Sequence, residues 1–344
     1  MVIFSETGPL SCAGPASPKP ISTNCSAAIR CATSRSRIRH PYRKAKVTKE
    51  FRGTYTVMIT PFDTEGRVDL AATANFVDWQ ITEGIHGLVP LGSTGEFLSM
   101  TDDERAAVAE TVIRKAAGRV PVLIGTGAES TDDVIRYSRQ AESLGADGVM
   151  IIPPFYSTPT EDELFEHYRR IGAAIGLPIM IYNNPATANV DLTPRIVERL
   201  SRIDNVRYIK ESTMDVTRIR DILEFCGDRM TVFGGIMGFE SFLEGAAGWI
   251  AVGSNIMPKE MAQLFSLWAD HRDYDGAKAL YHRMLPVIRL VAGHRYVSGT
   301  KAALAMMGRS VGDPRPPRLP LPSAELPVVA EALAKAGVVI GRAT

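Results

Sequence analysis

Short apolar, β-rich runs recur eight times along this chain, about every 25–40 residues, and segments of helical period separate them. The runs are residues 54–60, 86–91, 120–125, 147–152, 178–183, 206–211, 231–234 and 248–253. They are apolar almost throughout, as expected when both faces of a parallel sheet are covered. The intervening stretches carry helix signals. Residues 102–117 place Ala107, Val108, Val112 and Ile113 on one face. Thr101 with Glu104 and Thr160 with Glu163 have the spacing of capping boxes, and Thr193-Pro194 reads as an N-cap followed by proline at the first helical position. Eight such units predict an α/β chain folded as a (β/α)8 TIM barrel. A doubly wound open sheet is the rival. It would want a phosphate fingerprint after the first strand, where Thr60-Pro61-Phe62 has none, and Gly125-Thr126-Gly127 lacks the third glycine of a dinucleotide site.

The barrel is expected over residues 51–270, with a C-terminal helical extension over 271–344. That extension begins within a helix predicted over 258–293, with others over 298–307 and 323–337. Pro314–Pro322 reads as a stiff, extended connector before the last helix. Residues 1–50 differ in character. They hold nine Lys or Arg against Glu6 and Glu50, and three of the four cysteines (Cys12, Cys25, Cys31), leaving Cys226 to the body. The net charge of +1 thus divides into about +7 and −6. This stretch, rich in Ser, Pro, Ala and Arg, shows neither period and cannot bury enough apolar surface to offset the entropy of ordering. It reads as a disordered extension, or one added by a start codon set too far upstream. Organelle targeting or a basic nucleic-acid arm are the lesser readings. The body is expected to fold and work without it.

Net charge gives no case for nucleic acid, no apolar run approaches roughly 18 residues, and four cysteines make no disulfide scaffold. A protein acting in the cytoplasm, with neither nucleic acid nor membrane as partner, is the expectation. The six histidines form no HExxH or Cys/His cluster.

A barrel keeps its chemistry at the C-terminal ends of its strands. Six lysines lie beyond residue 50, and five of them (Lys115, Lys259, Lys278, Lys301, Lys335) fall on predicted helices or their starts, where a solvated surface role is usual. Lys210 alone ends an apolar strand. A buried ammonium is costly unless paired, whereas a neutral amine at such a place attacks carbonyls and forms a Schiff base. A buried ion pair, with Glu96 or Glu211, is the competing reading. Tyr182 ends the preceding strand, where its phenol can shuttle protons or simply pack in the core. Gly92-Ser93-Thr94-Gly95-Glu96 follows the second strand. Its glycines let backbone amides approach a ligand, and its two hydroxyls can hold a carboxylate.

Gly92-Ser-Thr-Gly-Glu96, Tyr182-Asn-x-Pro185 and the lysine of Tyr208-Ile-Lys-Glu211 together resemble the dihydrodipicolinate synthase/N-acetylneuraminate lyase family, over about residues 51–322. The resemblance implies a class I aldolase barrel, a homotetramer built from dimers, acting on pyruvate or another small 2-oxo acid. It implies an imine on Lys210 in place of any metal or organic cofactor. Tyr182 would carry protons, Ser93 and Thr94 would hold the 2-oxo acid carboxylate, and Ile250 would line its pocket. Ser93 would also link Tyr182 to a second tyrosine, Tyr156, which in the synthases crosses the dimer interface.

Two departures bear on the subclass. The synthases carry a carboxylate-binding arginine five residues after the tyrosine; here that substrate-binding position is Thr187, which offers no bidentate clamp. The next arginine, Arg195, lies on the following predicted helix. Sialic acid lyases carry an acidic pair after the seventh strand; here Ile236 and Met237 follow Gly234-Gly235. The expectation is therefore a lyase handling another 2-oxo acid, by aldol chemistry, dehydration or deamination. The alternatives are the synthase proper, a non-catalytic ligand-binding barrel, and a phosphate-binding barrel enzyme using the glycines after the seventh and eighth strands.

Overall fold

The computed structural model describes residues 50–293 and 295–341. The expectation of disorder over residues 1–50 concerns a segment that, Glu50 apart, lies outside the described residues.

Eight parallel strands run β1 (Gly53–Val57), β2 (Gly87–Val89), β3 (Leu123–Gly125), β4 (Gly148–Ile151), β5 (Ile179–Asn183), β6 (Val206–Glu211), β7 (Thr231–Gly234) and β8 (Gly248–Ala251). Their order in the sheet is β2-β1-β8-β7-β6-β5-β4-β3. A parallel bridge between Leu88 and Val122, with Leu88 N–H donating to the Pro121 carbonyl at 3.0 Å, joins the two ends and closes the barrel. Aromatic rings fill its interior: Phe51, Tyr55, Tyr208 and Phe233 pack with centroids 4.7–6.4 Å apart. Gly87 and Gly248 make room for them. A Cβ on Gly87 would lie 2.3 Å from the Tyr55 ring, and one on Gly248 at the same distance from the Phe233 ring.

Helices α1 (Leu70–Thr82), α2 (Asp102–Ala116), α3 (Thr131–Leu144) and α4 (Glu161–Ala174) follow the first four strands. A single turn, α5 (Pro185–Ala188), precedes α6 (Pro194–Leu200); then come α7 (Thr217–Cys226), α8 (Gly238–Leu243) and α9 (Pro258–Phe265). Both predicted capping boxes are present, with Thr101 and Thr160 accepting from the backbone of Glu104 and Glu163 and those carboxylates accepting in return. Thr193 caps α6 as expected. The buried face of α2 is set by Val108, Val112 and Ala116, while Ala107 and Ile113 are half-buried.

The C-terminal part departs from expectation in two places. The helix predicted over 258–293 is broken: α9 passes into a π turn (Ser266–Asp270), Arg272 adopts a left-handed φ of 55°, and α10 (Tyr274–Leu290) starts afresh under an Asp273 cap. The uninterrupted apolar period hid this break, because the cap signal at Asp273 is local. The helices α11 (Tyr296–Met306) and α12 (Leu326–Ala336) follow. The connector between them is not uniformly extended. It turns at Arg315–Arg318, where Arg318 N–H donates to the Arg315 carbonyl at 3.0 Å. Arg315 anchors that turn, its guanidinium reaching Glu104 and the carbonyls of Gly66 and Ser99.

Candidate active site

Register carries the two central groups together. Tyr182 and Lys210 are Cα partners across β5 and β6, so their side chains leave the sheet on the same side. Both are buried, and the Lys210 Nζ stands 4.0 Å from the centre of the Tyr182 ring. The next residues along each strand point the other way and lock this alignment: Asn183 Nδ2 donates to Glu211 at 2.9 Å, and Glu211 accepts from Thr213 N–H at 2.7 Å. Glu211 is thus occupied with backbone and amide. Glu96 is occupied too, by Lys301. Among the described residues no carboxylate lies within ion-pairing distance of Lys210.

Pairing passes the same side of the sheet on from Lys210 to Phe233, then to Gly248, and by alternation to Ile250. Ile250, fully buried, therefore lies on the inward row with Lys210. Ser93 opens a 3-10 turn after β2, with Thr94 buried behind it. Neither side chain forms a hydrogen bond among the described residues. The turn is held from outside: Thr60 Oγ1 donates to the Gly95 carbonyl at 2.9 Å, and Glu96 sits at a left-handed φ of 59°. That strained backbone is fixed by Lys301 Nζ, 3.1 Å from the Glu96 carboxylate, and by Arg315 N–H at 2.9 Å.

Lys301 therefore corrects a sequence-based expectation. It is a helical lysine, yet 3 % exposed, and burial pulls its ammonium down to about 8 even with Glu96 alongside. Its helix α11 is buried on several sides, including Ser298, Thr300, Ala303 and Leu304, so helical position alone did not imply a solvated lysine.

The remaining candidates lie at the rim. Tyr156, after β4, is 88 % exposed. Thr187, on α5, is exposed and its hydroxyl donates to the Asn184 carbonyl at 3.3 Å. Arg195 is exposed on the helix layer, its guanidinium 5.3 Å from the Phe225 ring of α7. The Tyr182 hydroxyl accepts from Asn184 Nδ2 at 3.0 Å. Ile236 and Met237 are half-buried after β7.

Further groups were not singled out from sequence. Tyr296, at the start of α11, is raised above the ordinary tyrosine value by burial, and Arg318, Tyr182 and Glu96 are among the groups acting on it. The Arg318 guanidinium lies 5.9 Å from its ring centre. Glu129, after β3, accepts from the amides of Phe155, Tyr156 and Ser157. No local pattern marks these residues, because each acts across elements far apart in sequence. No group of three or more metal-ligating side chains occurs among the described residues, and no helix there is long and apolar enough to cross a membrane.

A closed parallel barrel with a buried lysine and tyrosine side by side at adjacent strand ends is the arrangement expected of a lyase that works through a lysine Schiff base. The chain belongs to the dihydrodipicolinate synthetase family, whose sequence model matches residues 50–336. It is 34 % identical over 291 residues to the 4-hydroxy-tetrahydrodipicolinate synthase of Thermodesulfovibrio yellowstonii, covering 84 % of this chain and 99 % of that one. Its identity to the synthase of Syntrophobacter fumaroxidans is 38 % over 273 residues, covering 79 % and 92 %. Among solved structures it is similar to the Acinetobacter baumannii dihydrodipicolinate synthase complexed with pyruvate (TM-score 0.80, 32 % identity, covering 84 % and 100 %). It is also similar to YagE, a prophage protein of the family from E. coli in complex with pyruvate (TM-score 0.80, 30 % identity, covering 85 % and 100 %).

Proposed function

We propose that Lys210 forms an imine with pyruvate or a related 2-oxo acid, and that Tyr182 moves the protons. The observation that carries this reading is the 4.0 Å approach of Lys210 Nζ to the Tyr182 ring, with no competing carboxylate among the described residues. The free-base amine adds to C2 of the 2-oxo acid. One proton passes from nitrogen to the new alkoxide by way of the phenol. A second proton, drawn from solvent through the same group, releases the hydroxyl as water and leaves the protonated imine. This imine withdraws electrons from C3, so a C3 proton can leave to give an enamine, which then attacks an aldehyde; run backwards, the same steps cleave an aldol. Ser93 and Thr94, with open hydroxyls and adjacent backbone amides, hold the carboxylate on this reading, and Ile250 floors the pocket.

The acceptor end lacks the arginine and the acidic pair of the two best-known subclasses, because Thr187, Ile236 and Met237 stand there. We therefore place the chain in a subclass that handles another 2-oxo acid. A second reading, the synthase proper, is favoured by the similarity to the 4-hydroxy-tetrahydrodipicolinate synthases of Thermodesulfovibrio yellowstonii and Syntrophobacter fumaroxidans. A tetramer built from dimers, with Tyr156 reaching the neighbouring site, and action in the cytoplasm complete the proposal.

Borohydride reduction with a panel of 2-oxo acids tests the chemistry. Mass is expected at Lys210 only, and trapping that survives Lys210→Ala overturns the assignment. Comparing kcat/KM for pyruvate plus aspartate semialdehyde, for sialic acid, and for the panel tests the subclass. A site that has lost a polar anchor turns over the anchored substrate poorly, so efficient dihydrodipicolinate synthesis would move the chain to the second reading.

A further inference from the structure

Tyr156 poses a mechanical problem. Its ring is 88 % exposed, it sits in the irregular turn between β4 and α4, and no hydrogen bond of its own side chain steadies it among the described residues. A group that must be positioned within a fraction of an ångström to move a proton cannot hang on a slack loop. The loop is held nonetheless, through its backbone. One oxygen of the Glu129 carboxylate accepts from the amides of Phe155 at 2.9 Å and Tyr156 at 3.0 Å. The other accepts from the Ser157 amide at 2.9 Å and from the Ser157 hydroxyl. Four donors on three consecutive residues thus converge on one side chain. From the opposite side, Asn189 Nδ2 donates to the Phe155 carbonyl at 3.2 Å. Asn189 closes α5 at a left-handed φ of 52°, in the same loop as Asn184, the partner of the Tyr182 hydroxyl. Burial would raise the Glu129 carboxyl, but the Ser157, Tyr156 and Phe155 donors outweigh it and hold the group below its ordinary value, so it is an anion when the clamp is closed.

We propose that Glu129 is a positioning residue: it fixes the backbone of residues 155–157 so that Tyr156 projects as a rigid post, while Asn189 joins the base of that post to the loop that carries Asn184. The proposal rests on the reading that Tyr156 takes part in proton transfer. Glu129 touches no substrate; it acts through Tyr156.

The test is a double-mutant cycle on the full chain, with Glu129→Ala and Tyr156→Phe singly and together, and Glu129→Gln as a variant that retains one accepting oxygen. Steady-state kcat and KM are measured alongside native mass and circular dichroism. Tyr156→Phe is expected to lower kcat at least tenfold. Glu129→Ala is expected to lower kcat several-fold with KM for the 2-oxo acid within twofold, and Glu129→Gln to fall between it and the parent. In the Tyr156→Phe background, Glu129→Ala should cost nothing further. Equal fractional losses in both backgrounds would overturn the proposal, because Glu129 would then act elsewhere. Full activity of Glu129→Ala beside a slow Tyr156→Phe would overturn the clamp alone. A fully active Tyr156→Phe would overturn the role of Tyr156 and the clamp's catalytic purpose with it. Should Glu129→Ala fail to fold, Glu129→Gln carries the same cycle, with the same outcomes.

Discussion

Lys210 and Tyr182 have their partners chosen by what their neighbours on the strand do. Asn183 and Glu211 point away from the barrel axis and bond to each other, which leaves the amine and phenol facing one another on the inner side. Replacing Tyr182 by Phe keeps the ring against Lys210 and removes only the hydroxyl and its bond from Asn184, a loss of about 1 kcal/mol in stability. Turnover should fall by roughly 10²–10⁴, the usual worth of a positioned acid–base group. Near-normal kcat in that variant would return Tyr182 to a packing role. Lysine at a strand end was legible because strand alternation places it. The burial of Lys301 was not, because a helix interior to a protein has no outward face to read. Its pairing with Glu96 carries its own prediction. Lys301→Met leaves the Glu96 carboxylate buried without a counterion, and breaking such a pair costs about 3–5 kcal/mol. Thermal unfolding should show that loss, and adding Glu96→Gln should restore part of it. A Lys301→Met protein as stable as its parent would mean that Glu96 finds water or another donor.

The strands and barrel helices were legible because their period and caps are written within a dozen residues. The loops that shape the site were not, since Glu129, Arg315 and Tyr296 find their partners across the barrel rim. The joint between α3 and α4 shows what such long-range placement does to a titratable group. His167 on α4 has Nδ1 2.9 Å from Thr131 Oγ1 at the start of α3, and its Nε2 is buried without a hydrogen-bond partner. Burial pulls the imidazole down to about 4; Glu129 acts to raise it and Arg170 to lower it further. The folded value lies below the unfolded one, so between them the unfolded chain holds more protons. Stability from this group is complete above about pH 6.5 and is lost as pH falls towards 4, about 2 kcal/mol of it between pH 7 and pH 5. Unfolding midpoints of parent and His167→Gln, measured at both pH values and one protomer concentration, should converge on acidification. Equal acid losses in the two proteins would place the titration elsewhere.

At the scale of the whole molecule, the proposed assembly of subunits can be tested on the surface around Tyr156. A single exposed leucine is unremarkable on a protein surface. Leu98, however, is 64 % exposed on the loop after β2, and Tyr156 is 88 % exposed on the loop after β4. Their neighbours Phe97 and Phe155 pack edge to face with centroids 6.3 Å apart, which brings the two loops together at the rim. Behind them the Arg105 guanidinium lies 5.4 Å from the Phe97 ring centre and 3.7 Å from that of Tyr137, stiffening the base of the patch. If Tyr156 reaches a neighbouring site, as proposed, Leu98 on the adjoining loop would meet the second copy of the chain. Leu98→Asp would put a carboxylate in that contact, where it would be desolvated without a partner. On that proposal the expected result is a lower native mass in sedimentation at micromolar concentration, together with a kcat reduced towards that of Tyr156→Phe, because each site would lose the phenol proposed to come from the neighbour. Borohydride should still trap the 2-oxo acid on Lys210, since Lys210, Tyr182, Ser93 and Thr94 all belong to one chain. A Leu98→Asp protein with unchanged mass and turnover would show that this patch is not the interface, and Tyr156 would then have to act, if at all, within its own subunit.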